Sequence, residues 1–376
     1  MSQSETVVSL DDVRIEFEKS KLFGLADEER IRAVNDVSLD IYENEVVALV
    51  GESGCGKTTL GKTAIGLNRP TDGSVRYRGQ DIFETKDQSG VFSGLLGGED
   101  DLAHSYSQIR KSLQIIHQDP ESSLDGNDTV EGILAEPLRR WEPELSKQDR
   151  RERIYAFLDY VGMVPPEDFA SRYPHQMSGG QQQRIALIRS LLMQPDLILA
   201  DESISALDVS LRVNMMDLML DLQNTMDTSY LFITHDLSTA RYMTEKSNGR
   251  IGIMYLGELV EIGPVEQIMN NPQHPYTEAL LWATPDMGSQ EALGQTQGLE
   301  AAPLRRLDVP DLEDPPSGCS FHPRCPEARE VCRQEAPTST EVEPGHEANC
   351  FRTETTHEYW QSEELGDADE MEATEF

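Results

Sequence analysis

The chain has 376 residues, enough at roughly 100 to 200 residues per domain for one substantial core and an attached module. Asp and Glu total 68 against 32 Lys and Arg, for a net charge of -36, which argues against nucleic-acid binding through a broad basic surface because that mode works by neutralising phosphates. The opening segment carries early acids and no apolar core of signal-peptide length, no run approaches about 18 apolar residues, and the five cysteines do not form a secreted disulfide framework; any work at a membrane is expected to go through a partner.

In chain order, residues 9 to 17 and 36 to 42 alternate as strands do, and residues 46 to 50 form a short apolar run entering a glycine-rich turn. A helix is expected from Thr58 to about Leu67, followed by a turn and a returning strand. Residues 83 to 107 turn acidic, polar and glycine-bearing and read as a surface insertion. Two helix-like stretches within 129 to 164 predict a helical subdomain. An amphipathic helix then opens at Ser178, a buried strand ends at Asp201, and a helix and a second short apolar strand lead to His235. Residues 251 to 263 supply two more strands. The order predicts an α/β fold, with a nucleotide-binding region over 9–285 and a linker or wrapped extension over 286–316. A cysteine-containing module follows over 317–352, and an acidic tail over 353–376 is expected to be mobile or salt-solvated.

Gly51-Glu52-Ser53-Gly54-Cys55-Gly56-Lys57-Thr58 fits the phosphate-loop pattern between a buried strand and a helix. The glycines let backbone N–H groups curl around phosphate oxygens, Lys57 meets their charge, and Thr58 offers a hydroxyl to magnesium. Cys55 has no evident partner for thiol catalysis and reads as tolerated inside the loop. Asp201 ends a buried strand and can enter the magnesium shell, while Glu202 beside it can orient and deprotonate the attacking water. His235 can touch the terminal phosphate or hold the water, and Gln118 can sense magnesium or water. Ser178-Gly179-Gly180-Gln181 opens a helix whose free N–H groups suit an anion, 121 residues after Lys57. One subunit has no evident need for two phosphate-binding helix starts; a second copy would supply one.

At this point the chain resembles the ATP-binding subunits of ATP-binding-cassette transporters, over about residues 9 to 265. The resemblance implies a P-loop NTPase cassette with a helical signature subdomain, binding ATP and Mg²⁺. It makes Gly51 to Thr59 the phosphate loop, with Thr58, Gln118 and Asp201 around the metal. Glu202 becomes the base, His235 the switch histidine, Ser178 to Gln181 the signature and Ser205 to Asp208 the subunit-crossing loop. Met177 departs from the signature's usual Leu, and Ser203-Ile204 from the usual Pro-Thr. The adenine-stacking aromatic falls on Phe17, which reads equally as a core residue.

Residues 254–257, 261–264, 271–277 and the run Gly318-Cys319-Ser320-Phe321-His322-Pro323-Arg324-Cys325-Pro326 resemble the dipeptide, oligopeptide and nickel importer branch. That resemblance implies two membrane permease subunits, a second cassette (the same chain or a related one) and an extracytoplasmic solute-binding protein, at the cytoplasmic face of the membrane. Nickel or sugar import, and a soluble nucleic-acid- or ribosome-associated ATPase, stand as alternatives. Some branch members carry a 4Fe–4S cluster in this extension. Cys319, Cys325, Cys332 and Cys350 are therefore expected to hold such a cluster, zinc, or nothing, as free thiols. The acid-rich composition, with few Lys, looks like that of proteins from salt-loving organisms.

Overall fold

The structure is a computed structural model, described here for residues 5–18, 30–89, 103–284 and 303–366. It forms two compact units: residues 1–11, 38–47 and 58–234 make the first, and residues 12–37, 48–57 and 235–376 the second. The region read as one nucleotide-binding block over 9–285 therefore contributes to both. The boundaries fall inside strands and not in linkers: β1 (Thr6–Glu18), β2 (Arg30–Tyr42) and β3 (Val46–Val50) each pass from one unit into the other.

In the first unit, α1 (Lys57–Ala64) follows the glycine loop, ending three residues short of the expected Leu67. A hairpin of β4 (Asp72–Tyr77) and β5 (Gln80–Asp81) comes next. α2 (Ile82–Gln88) is capped by the Asp81 carboxylate, and α3 (Tyr106–Ser112) by a reciprocal Ser105–Gln108 box. Both ends of the stretch read as a surface insertion are thus helical, while residues 90–102 lie outside the described residues. The chain continues through β6 (Leu113–Ile116), α4 (Pro120–Ser123), α5 (Val130–Trp141), α6 (Lys147–Tyr160), α7 (Pro166–Ala170), α8 (Gly179–Leu191), β7 (Leu197–Asp201), α9 (Val209–Met226) and β8 (Ser229–Ile233). Strands β6, β7 and β8 pair in parallel, with Ile116 opposite Ala200 and Asp201 opposite Ile233. Every residue of β7 and β8 is buried, which is why both read as continuous apolar runs. The predicted helical subdomain forms around Val130, Leu134, Leu138, Ile154, Leu158 and Ile188.

In the second unit, α10 (Leu237–Ser247), β9 (Arg250–Tyr255), β10 (Glu258–Pro264), α11 (Val265–Asn270) and α12 (Pro275–Trp282) precede the extension. The extension adds α13 (Glu330–Gln334), β11 (Thr340–Glu343) and β12 (His346–Ala348). The strand order is β11-β12-β10-β9-β3. β12 pairs antiparallel to β10, so the extension continues the cassette's own sheet instead of standing as a separate domain. One buried carboxylate ties it down: Glu261 accepts from the Gln273 N–H (2.8 Å), the His274 N–H (2.9 Å) and the Thr277 hydroxyl (2.5 Å), with His346 Nε2 at 2.7 Å.

His274 is buried, and its Nδ1 accepts the Tyr276 N–H at 3.1 Å, so the ring works as a neutral helix cap. Desolvation pushes its pKa down to about 4, with Glu261 opposing the fall and Arg352 assisting it. Below about pH 6.5 the unfolded chain takes up this proton and the folded chain does not, so stability present at neutral pH is lost as pH falls toward about 4. The expected share is on the order of 2 kcal/mol between pH 7 and pH 5. In urea unfolding at the two pH values, His274→Asn should lose about that much less than the parent; equal losses would refute the assignment.

The tail is not free after residue 352. Tyr359 is buried and donates its hydroxyl to the Glu327 carbonyl at 2.8 Å, and Leu365 N–H reaches the Ala328 carbonyl. Residues 353–366 fold back because one buried aromatic and these backbone bonds outweigh the surrounding acids; residues 367–376 lie outside the described residues.

Candidate nucleotide site

The loop over residues 51–57 belongs to the second unit, and its glycines are required by shape. A Cβ on Gly51 would stand 2.1 Å from the Met254 carbonyl oxygen. Gly56 has φ of 101° and would bring a Cβ within 2.2 Å of the Ala33 carbonyl oxygen. Lys57 is buried and folds back to donate to the Gly51 and Glu52 carbonyls, both at 2.8 Å. The turn between β9 and β10 grips the loop from outside, with Gly257 N–H donating to the Cys55 carbonyl. Burial pushes the Cys55 thiol above its usual range even with Lys57 at 3.6 Å, so it packs as a neutral thiol. Phe17, near the end of β1, is 46% exposed, which removes its reading as a core residue.

In the first unit, parallel strands deliver the acids. Asp201 ends β7, nearly buried, and its Oδ1 accepts the Thr58 hydroxyl at 2.7 Å. A hydroxyl and a carboxylate brought together in this way are the hard oxygen donors that magnesium takes alongside phosphate, so these residues fit the ion. Glu202 follows with φ of 46°, a left-handed conformation costly for a residue with a Cβ. Its N–H donates to the Ile233 carbonyl, and its own carbonyl accepts Ser205 N–H and Oγ, holding that geometry from both sides. Gln118 reaches this carboxylate, its Nε2 donating to Glu202 Oε2 at 3.1 Å. The structure thus brings together Thr58, Gln118, Asp201 and Glu202. Asp208 caps α9 through the Leu211 N–H, and Ser178 caps α8 in a reciprocal box with Gln181. That box leaves Gly179 and Gly180 N–H without acceptors among the described residues. His235 opens the second unit's main segment, just before the Asp236 cap of α10.

Comparison with known proteins agrees with this geometry. A family model described as ABC transporter matches residues 34–205, and one described as oligopeptide/dipeptide transporter, C-terminal region, matches residues 260–332. The chain is 37% identical over 350 residues to the oligopeptide transport ATP-binding protein AppF of Bacillus subtilis (strain 168), covering 93% of this chain and 98% of that protein. It belongs to the ABC transporter family. Another relative is the dipeptide transport ATP-binding protein DppF of Haemophilus influenzae (strain ATCC 51907 / DSM 11121 / KW20 / Rd), 38% identical over 86% of this chain and 90% of its own length. The dimeric ABC transporter cassette MJ0796 superposes with a TM-score of 0.54 at 27% identity, covering 69% of this chain and 98% of that one. This chain is therefore an ATP hydrolase that powers transport.

In this ABC transporter chain the departures from the common pattern are packing changes. Met177 is 8% exposed and lies in the core of the helical subdomain, where an unbranched thioether side chain stands in place of a branched leucine of similar volume. Ser203 and Ile204 are both buried, and Ser203 Oγ has no hydrogen-bond partner among the described residues. Tyr276 and Arg324 are contacts that the motifs did not signal, since both reach Glu52 of the loop from more than 220 residues away.

Cys319, Cys325, Cys332 and Cys350 all line one cavity with Phe321 and Phe351, but its volume is about 20 Å³, room for one water. All four are free thiols, and burial raises each above the usual thiol range, Cys350 to about 11. No set of three His, Cys, Asp or Glu side chains among the described residues is arranged to hold a metal ion. The expected iron–sulfur cluster or zinc is therefore not supported. Cys319 and Cys332 pack in an apolar cluster with Val331, Phe351 and Tyr359.

Proposed function

We propose that the chain is the ATPase subunit of an importer of dipeptides or oligopeptides. The observation that carries the catalytic part is the meeting of Thr58, Gln118, Asp201 and Glu202 at the end of β7. In this reading the 51–59 loop and Lys57 hold the ATP phosphates, and Phe17 stacks on the adenine. Glu202 orients the attacking water and takes its proton, Gln118 fixes the carboxylate that does so, and His235 contacts the terminal phosphate. Thr58 and Asp201, with Gln118 nearby, would hold a magnesium ion, which when bound would supply neutralisation of the phosphate charge. The signature at Ser178 to Gln181 and the crossing loop ending at Asp208 serve the ATP of a second cassette.

The relatives' names, peptide transport ATP-binding proteins, support the solute class. No helix among the described residues is long and apolar enough to cross a membrane, which accords with a peripheral position on the cytoplasmic face against two permease subunits. An extracytoplasmic binding protein delivers the peptide. Tagged protein isolated from its native membrane at high salt should carry two multi-span subunits in stoichiometric amount by mass spectrometry, and the associated binding protein should bind peptides. Soluble ribosomal or nucleic-acid partners in their place would overturn the importer reading; a binding protein specific for nickel or sugar would overturn the solute.

A further inference from the structure

Glu52, the second residue of the phosphate loop, has all its polar groups engaged, and the C-terminal region supplies two of the partners. Its N–H donates to the Tyr276 hydroxyl at 3.1 Å, its carbonyl accepts Lys57 Nζ, and its two carboxylate oxygens accept Arg324 Nη1 at 3.0 and 3.1 Å. Arg324 is 4% exposed, so it is committed to this contact and is not a solvated surface charge. Its guanidinium stands over the Tyr255 and Phe321 rings, 5.6 and 5.8 Å from their centroids, and Phe321 packs edge-on against Tyr255. A second tie lies beside it: Ser320 Oγ donates to Glu258 Oε2 (2.8 Å), next to the Gly257 turn that grips Cys55.

We infer that Arg324 is a positioning residue for ATP: by holding and neutralising Glu52, the cysteine module sets the affinity of the phosphate loop for nucleotide. The inference rests on reading Gly51 to Thr58 as that loop. An unpaired Glu52 carboxylate would leave a negative charge on a segment that must receive the phosphates of ATP, and would free the loop's first turn from its outer support. Paired with Arg324, that carboxylate becomes a fixed and nearly neutral anchor. The charge pattern explains why a module remote from the motifs reaches back to this one residue.

The test uses the full chain and equilibrium binding of MgATP. Arg324→Ala is expected to weaken binding about tenfold with kcat at saturating ATP changed less than about twofold. Glu52→Gln serves as the reference for the cycle, and Arg324→Ala/Glu52→Gln should bind MgATP more tightly than Arg324→Ala, recovering most of the lost affinity because the repelling charge is gone. Lys57→Ala is the control for the loop. If Lys57→Ala loses ATP while Arg324→Ala binds normally, the inference fails and the loop reading stands. If Lys57→Ala binds normally, the loop reading itself fails. Equal weakening in Arg324→Ala and the double variant would reduce Arg324 to a structural part and overturn the inference. Should Arg324→Ala not fold, Arg324→Lys decides: affinity weakened about threefold and restored by Glu52→Gln supports it, and parental affinity refutes it.

Discussion

Glu202→Gln is expected to lower kcat by about 10²- to 10⁴-fold while leaving ATP affinity within about threefold of the parent. The substitution keeps the side chain's size and keeps an oxygen that can accept from Gln118, whose amide now meets Glu202 Oε2 at 3.1 Å. What it removes is the capacity to take a proton. The backbone at this position argues in the same direction. A glutamate held at φ of 46°, with its N–H and carbonyl both fastened, is a residue whose carboxylate is aimed at some cost in conformational energy. Such strain is retained where direction matters. Phosphate release by the full chain with its partner cassette, measured beside nucleotide binding, checks both halves of the expectation. Turnover equal to the parent's would remove Glu202 from the mechanism and leave the water without a base.

The parts of this molecule legible in the sequence are those where one local pattern has one physical meaning. Residues 197 to 201 and 229 to 233 read as buried strands because both their faces are covered, and an acid closing such a run stands where a parallel sheet presents its ligands. The glycine loop reads as a phosphate cradle because its spacing and its strand-to-helix setting leave few other uses. Other features depend on partners far away in the chain. Nothing near Glu52 announces Arg324, 272 residues later, and nothing in an acid-rich tail announces that Tyr359 is buried against Glu327. The four late cysteines illustrate the limit differently: that they converge on one cavity, and that no three His, Cys, Asp or Glu side chains among the described residues are set to hold a metal ion, is seen only in the structure. Glu202's left-handed backbone is likewise invisible in a string of residue types, since glutamate gives no hint of positive φ.

Gly179→Asp is expected to abolish most turnover, by about two orders of magnitude, without harming the fold. The local geometry makes the two effects separable. A Cβ on Gly179 meets nothing within 4 Å, so within this chain the position has room for a side chain. It is the first residue of α8, where a carboxylate favours the helix by a few tenths of a kcal/mol, so thermal stability should hold or rise slightly. The same charge would stand where Gly179 and Gly180 present N–H groups without acceptors among the described residues, the feature that makes this helix start suited to an anion. If that anion is the ATP held by another cassette, the variant chain alone should bind MgATP at its own loop with parental affinity and fail only in turnover with its partner. Lost affinity in the isolated chain would place Gly179 at the chain's own nucleotide instead. Undiminished turnover would show that the helix start meets no phosphate, and the composite arrangement of the two cassettes would have to be abandoned.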